Sequence, residues 1–298
     1  MYRISILFWM CGSLLSAQLK APFWSYDFKN DKTYQERLAG LDKKNISPEI
    51  LEQWIEDARA HKDWEQVISL INKKPENELN SRDFFLLGAA NGFRSREVNR
   101  MFSLPYVRNM KTYFGKAHQA NPTGVLTLVA LYKVYSDLPS LLGGSRSAAM
   151  EYVNALKPLD PLEYQLGLMY VSEAFEGRVD SGQLNEFLNQ CAESSSCDPL
   201  PENLKQKRRN FIFDVLRLVA VYKSSGACVE PFIVFLIETH SSTDSFSSAW
   251  IKLYAAVIAE HSNQPNKALQ WIEEVLEEAP EIEEAQELKR QLIKRSQK

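Results

Sequence analysis

The chain has 298 residues, with Lys+Arg 35 against Asp+Glu 38, a net charge of -3, 45% hydrophobic and 24% charged residues. That is too apolar for a disordered chain, and Gly 12, Pro 13 and Cys 4 exclude a fibrous protein or a disulfide scaffold. The slight acidity argues against nucleic acid as a partner, and four histidines leave little material for imidazole chemistry.

In chain order, residues 1–17 read as an export signal. Arg3 supplies the positive start, Ile4 to Leu15 is an uncharged apolar run, and Leu15-Ser16-Ala17 offers a small residue for cleavage before Gln18. The run is too short for a spanning helix, which needs about 20 apolar residues. Phe8-Trp9-Met10 before Cys11 is too bulky for lipid anchoring at that cysteine. The expected address is the periplasm or another extracellular or envelope compartment, with no stable membrane insertion once the signal is removed. In such an oxidising setting the spacing of Cys191 and Cys197 allows a disulfide; Cys228 reads as a buried thiol.

Residues 18–47 form a lead-in, with Tyr34, Leu38 and Leu41 on a short helix. From 48 to 298 the pattern is helical. Ser47 as N-cap, Pro48 in the first turn, and Ile50, Leu51, Trp54, Ile55 and Ala58 on one face predict a helix. A break at His61-Lys62-Asp63 precedes a second amphipathic stretch ending at Lys74-Pro75. Paired helices follow over 83–93 and 97–119 (Pro105 dividing the latter), 124–136 and 146–157, 162–176 and 182–191, 203–223 and 230–239, and 247–261 and 266–278. A last helix, 281–296, caps the series, with Ile282, Ala285, Leu288 and Leu292 inward. The short apolar run Pro231 to Ile237 is β-prone but sits within helical pattern. Six helix hairpins and a terminal helix make an all-α chain whose periodic units must stack to bury their apolar faces.

Small and aromatic residues at fixed spacing before a proline recur in these hairpins: Ala268, Ile272 and Pro280; Ala148, Tyr152, Ala155 and Pro161; Phe114, Ala117 and Pro122. Val275 and Met110 stand where smaller residues are usual, and Lys252 and Ala259 where larger apolar ones are. On these residues the chain resembles the tetratricopeptide-repeat (TPR) family. Leu86-Leu87-Gly88-Ala89-Ala90-Asn91-Gly92-Phe93 and Leu138-Pro139-Ser140-Leu141-Leu142-Gly143-Gly144-Ser145 are similar to stretches of its exported bacterial members. The resemblance covers most of 48–296 and is weakest over 162–240. It implies a right-handed superhelical solenoid of antiparallel helix hairpins, closed by a C-terminal capping helix.

No chemistry-bearing constellation competes with that reading. Gly143-Gly144 lacks the Gly-Lys-Ser/Thr of a phosphate loop, and there is no His-Glu-x-x-His helix. His240, Ser241, Ser242, Asp244 and Ser245 have the residue types of a hydrolytic triad but crowd into one polar loop. Lys205 to Arg209 reads as a solvated basic face, and Glu273 to Glu287 as the outer face of the cap. The expected function is a non-catalytic scaffold, without cofactor or metal, that binds a protein or peptide in a concave helical groove. Arg94, Tyr132, Tyr135, Tyr170, Trp250 and Tyr254 are its candidate anchors. The alternative is a ligand- or substrate-binding component of an envelope transport system.

Overall fold

The computed structural model describes residues 31–40, 46–191, 208–223, 229–241 and 244–296. The segment expected to be an export signal, most of the lead-in, Cys197, Cys228, Lys205 to Lys207 and Ser242 lie outside them. Among the described residues every regular element is helical. We number the α-helices α1 (Lys32–Ala39), α2 (Pro48–Ala60), α3 (Trp64–Ile71), α4 (Ser81–Glu97), α5 (Leu104–Ala120), α6 (Val125–Asp137) and α7 (Arg146–Leu156). There follow α8 (Pro161–Glu176), α9 (Ser181–Cys191), α10 (Arg209–Tyr222), α11 (Glu230–Glu238), α12 (Ser248–His261), α13 (Pro265–Glu278) and α14 (Glu283–Ser296). The chain divides within α8 into two compact units, one of residues 23–171 and one containing 172–298.

In the 23–171 unit, Ser47 caps α2 by accepting from the Ile50 N–H, and Asp63 caps α3 by accepting from the Gln66 N–H at 3.1 Å. The break between them turns on Lys62, which has a φ of 56°. Leu51, Ile55, Ala58, Val67, Leu70 and Ile71 then meet Leu87 and Ala90 of α4 in one buried cluster. Each of the leucine, isoleucine and valine side chains removed from water contributes about 1.5–3 kcal/mol. Helix α4 starts with a reciprocal capping box between Asn80 and Asp83, and the fully buried Asp83 carboxylate accepts from Lys74 at 2.7 Å. Lys74 also donates to Glu52 of α2. Burial opposes its charge, but these two carboxylates outweigh that and raise its pKa.

The second helix of the next hairpin starts at Leu104, seven residues later than the spacing predicted, and Pro105 lies in its first turn instead of dividing it. A first-turn proline lacks only an N–H that would have had no partner within the helix. Residues 98–103 are released for the connection, which contains one 3-10 turn at Arg100–Phe102. Helices α4 and α5 run antiparallel in close approach. A Cβ on Gly88 would lie 2.6 Å from Phe114 Cδ1, and one on Gly92 would lie 2.9 Å from Met110 Sδ. Met110 is therefore tolerated where a small residue is usual, because the small residue is on the opposite helix. The Gly143-Gly144 turn leads into α7 as the sequence predicts. Gly143 has φ 88°, a Cβ on Gly144 would lie 1.7 Å from the Leu138 carbonyl oxygen, and Ser145 caps by accepting from the Ala148 N–H. Leu128, Val129 and Tyr132 of α6, Ala149, Val153 and Leu156 of α7, and Val171 of α8 close the second core.

At the entry to this unit, Tyr34 is fully buried, stacks on His61 with centroids 4.3 Å apart, and donates to Asp63 Oδ2 at 3.1 Å. Burial is the main cause that pushes the Asp63 carboxyl above the ordinary carboxylate range. A raised folded-state pKa means that the folded state holds the proton longer than the unfolded state. Its stabilising contribution is present at low pH and is lost as pH rises through the carboxylate range. Asn caps as well as Asp with its one oxygen on the Gln66 N–H, and its Nδ2 can donate to the Tyr34 hydroxyl oxygen in place of the bond that Asp63 Oδ2 accepted. Asp63→Asn is therefore expected to match the parent near pH 4, about the ordinary aspartate pKa, and to melt higher than it at neutral pH. A variant that melts below the parent at neutral pH would show that the ionised carboxylate is the stabilising form.

In the 172–298 unit, α10 and α12 are apolar on most sides and correspondingly enclosed. Helix α10 packs on α11 and α12, α12 on α13, and α13 on α14. Phe213 stacks on Phe246 at 4.0 Å and lies 5.4 Å from Tyr254, while Phe187 meets Phe211. The β-prone run Pro231 to Ile237 is inside α11, as its surroundings indicate. Ile282, just before α14, and Ala285 and Leu292 on it are buried, the last against Ala259 and Ala268. Ala259 is small because three helices converge there. Lys252 reaches Glu274 and Glu278 of α13 at 3.3 and 3.4 Å, so its ammonium leaves the apolar face.

Candidate functional site

Three of the expected groove residues are packing residues. Tyr132 and Tyr254 are fully buried and Trp250 nearly so. Trp250 and Tyr254 lie in contact with each other on the enclosed helix α12. Arg94 is half-buried and already engaged, with Nη2 on Glu65 at 3.0 Å and Nη1 on Glu97 at 3.1 Å. Burial opposes its charge, and the two carboxylates still hold its pKa above the ordinary arginine value.

Tyr135 and Tyr170 remain half-buried on the 23–171 unit, and both are held in place. The Tyr170 hydroxyl donates to Asp137 of α6, with Oδ1 and Oδ2 at 2.8 and 2.9 Å. Its ring lies edge-on to Tyr132 at 5.6 Å and carries the Lys133 ammonium 5.2 Å from its centroid. Tyr135 stacks on Tyr152 of α7 at 5.7 Å, and Lys111 of α5 lies 5.2 Å from its centroid. His118 meets Tyr152 edge-on at 5.4 Å. Burial first, then Tyr135 and Glu151, push the Tyr152 pKa up, so at neutral pH its hydroxyl is a neutral donor.

This array from α5 to α8 combines two partly exposed phenols with two lysines and one carboxylate. Each ring is restrained by a packed neighbour, which lowers the ordering cost of binding. Sequence reasoning found Tyr135 and Tyr170, read Tyr152 only as a repeat position, and missed Lys111, Lys133 and Asp137. The i, i+4 placement of Lys133 and Asp137 around Tyr135 was the available signal.

Elsewhere, the triad-like residues serve their loop. Asp244 Oδ1 accepts from Arg209 Nε at 2.6 Å and its Oδ2 from the Ser241 N–H, while Ser245 Oγ pairs with Asn210. His240 Nε2 lies 3.1 Å from the Phe246 carbonyl oxygen and 3.9 Å from Asp244. Cys191 is buried at the end of α9, and its suggested partner Cys197 is outside the described residues. In the 172–298 unit, Arg217 of α10 and Glu173 of α8 form a buried two-pronged ion pair, with Nη1–Oε1 at 2.8 Å and Nη2–Oε2 at 2.5 Å. The Tyr222 hydroxyl donates to the same Oε1 at 3.3 Å. Among the described residues no three His, Cys, Asp or Glu side chains converge as a metal site, and no helix is long and apolar enough to cross a membrane. No family model matches the chain, and no curated protein matches it either.

Proposed function

We propose that this chain is an exported, non-catalytic scaffold of the tetratricopeptide type, a solenoid of antiparallel hairpins that binds a protein segment on the α5–α8 face. The observation that supports this best is the restrained pair Tyr135 and Tyr170, each fixed by a lysine over its ring and the latter by Asp137. Tyrosines with few rotatable bonds and an amphipathic ring are preferred binding anchors. The occupant is an extended peptide or a partner helix whose apolar side chains meet the rings and whose polar groups meet Lys133 and Lys111. Consecutive packing of α2 to α7 along the chain is in keeping with stacked hairpins.

The test places a photocrosslinking phenylalanine analogue at Tyr170 and, as a control, at the exposed Ser147, in cells that export the chain. One discrete protein adduct from position 170 and none from 147 is expected. Tyr135→Ala should weaken that capture by about 2 kcal/mol, roughly thirtyfold, the scale of a binding hot spot, with helicity unchanged. A small molecule retained at position 170 with no protein adduct would overturn the reading in favour of ligand transport.

A further inference from the structure

We propose that the α4–α5 and α6–α7 turns of the 23–171 unit form a docking surface for an anionic lipid bilayer. Because α4, α5 and α6 alternate in direction, both turns emerge at the same end. Lys111 Nζ of α5 donates to the Leu142 carbonyl at 3.2 Å and thereby joins them. Their tips are apolar and uncovered: Met101 is 84% exposed, Phe102 66% and Leu141 94%, with Leu104 beside them. Exposed apolar residues grouped in this way mark an interaction site.

Charge selects the occupant. Residues 98–111 and 138–146 contain no acidic residue, and of the two carboxylates that border them Glu97 is paired with Arg94 and Asp137 accepts from Tyr170, although the chain as a whole is net acidic. Basic residues surround the tips: Arg96, Arg108 and Arg146 are exposed, and Lys111 is half-buried. Along α5, Arg108 lies four residues behind Leu104, about 6 Å at the helical rise, while the Lys111 ammonium reaches to the Leu142 carbonyl. The apolar tips therefore lead and the cations follow at the depth, about 5–10 Å, to which interfacial segments enter a bilayer. Anionic headgroups above an acyl boundary present the complementary chemistry in that order. This surface shares Lys111 with the Tyr135–Tyr170 array, but Arg96, Phe102, Arg108 and Leu141, which the test substitutes, lie outside that array, so the two can fail independently.

The test is hydrogen exchange of the full chain with vesicles of phosphatidylglycerol and phosphatidylcholine, or of phosphatidylcholine alone. The apolar run Ile4 to Leu15 is common to all samples, so binding that it brings does not separate the variants. Slowed exchange is expected at 98–104 and 138–145 with anionic vesicles and not at the opposite turn, 120–124. It should weaken at about 0.5 M salt. Phe102→Ser with Leu141→Ser should raise the lipid concentration needed for turn protection by about tenfold or more, because two apolar side chains then no longer leave water. The charge reversals Arg96→Glu and Arg108→Glu, at exposed positions, should do the same without touching the core. Equal protection by phosphatidylcholine alone, no protection at the two turns, or indifference to both variant pairs would overturn the proposal. So would protection that rises with protein concentration without vesicles, which would assign the surface to a second copy of the chain.

Discussion

Arg217→Met is expected to destabilise the 172–298 unit by about 3–5 kcal/mol, the cost of leaving a buried carboxylate without its counter-ion. The guanidinium and the Glu173 carboxylate are 6% and 9% exposed and meet through two parallel hydrogen bonds. Burial works against the guanidinium charge, and Glu173 more than compensates, raising the Arg217 pKa. Removing arginine leaves Glu173 with only the weaker Tyr222 donor, whose own pKa is raised by burial first and then by that carboxylate. For a unit of this size the loss should lower the melting midpoint by on the order of 10 °C. Glu173→Leu combined with Arg217→Met should recover most of it, since an apolar pair of similar volume avoids both desolvation costs. Thermal melts of the two single variants and the double variant decide the matter. A double variant as unstable as either single one would show that the pair is not an isolated electrostatic unit.

That ion pair also shows where sequence reasoning stops. In the sequence Arg217 shows only as an interruption, with Asp214, of the apolar run Phe211 to Val221. Its partner lies 44 residues away on another helix, with no periodic relation to it. The helix pattern itself was legible because its signals are local. Ser47-Pro48 and Gly143-Gly144-Ser145 act within one turn, and of the four residues selected by spacing at the C-terminal helix Ile282, Ala285 and Leu292 are buried and Leu288 is half-buried. The start of α5 was misplaced because charged residues Arg94 to Glu97 continue α4 as readily as they begin a new helix. The binding face was half legible. Aromatic residues are used both for packing and for recognition, and periodicity separates these uses only on helices with one polar side. Helix α12 has almost none, so Trp250 and Tyr254 gave no directional signal, whereas Lys133 and Asp137 mark the outward side of α6.

The glycine face of α4 makes the sign of a substitution depend on the opposite helix. Gly→Ala inside a helix ordinarily stabilises by about 0.5–1 kcal/mol, because glycine loses more backbone freedom on folding. Gly115→Ala on α5 meets nothing within 4 Å and is expected to show that gain. Gly88→Ala is expected to lose about 1–3 kcal/mol instead, the range for overpacking. Its methyl would sit 2.6 to 2.9 Å from three atoms of the Phe114 ring, which is buried and in contact with Phe85. The ring cannot be dispensed with: Phe114→Ala should cost about 3–5 kcal/mol through lost burial and the cavity left behind. Phe114→Leu with Gly88→Ala returns volume to one helix as it is taken from the other. The pair should therefore be more stable than the sum of its single losses by about 1–2 kcal/mol, a coupling expected only of residues in contact. Denaturant melts of the Gly115, Gly88, Phe114→Leu and paired variants measure each quantity. If Gly88→Ala stabilised the chain as Gly115→Ala does, α4 and α5 would not approach as closely as the Gly88–Phe114 and Gly92–Met110 contacts require.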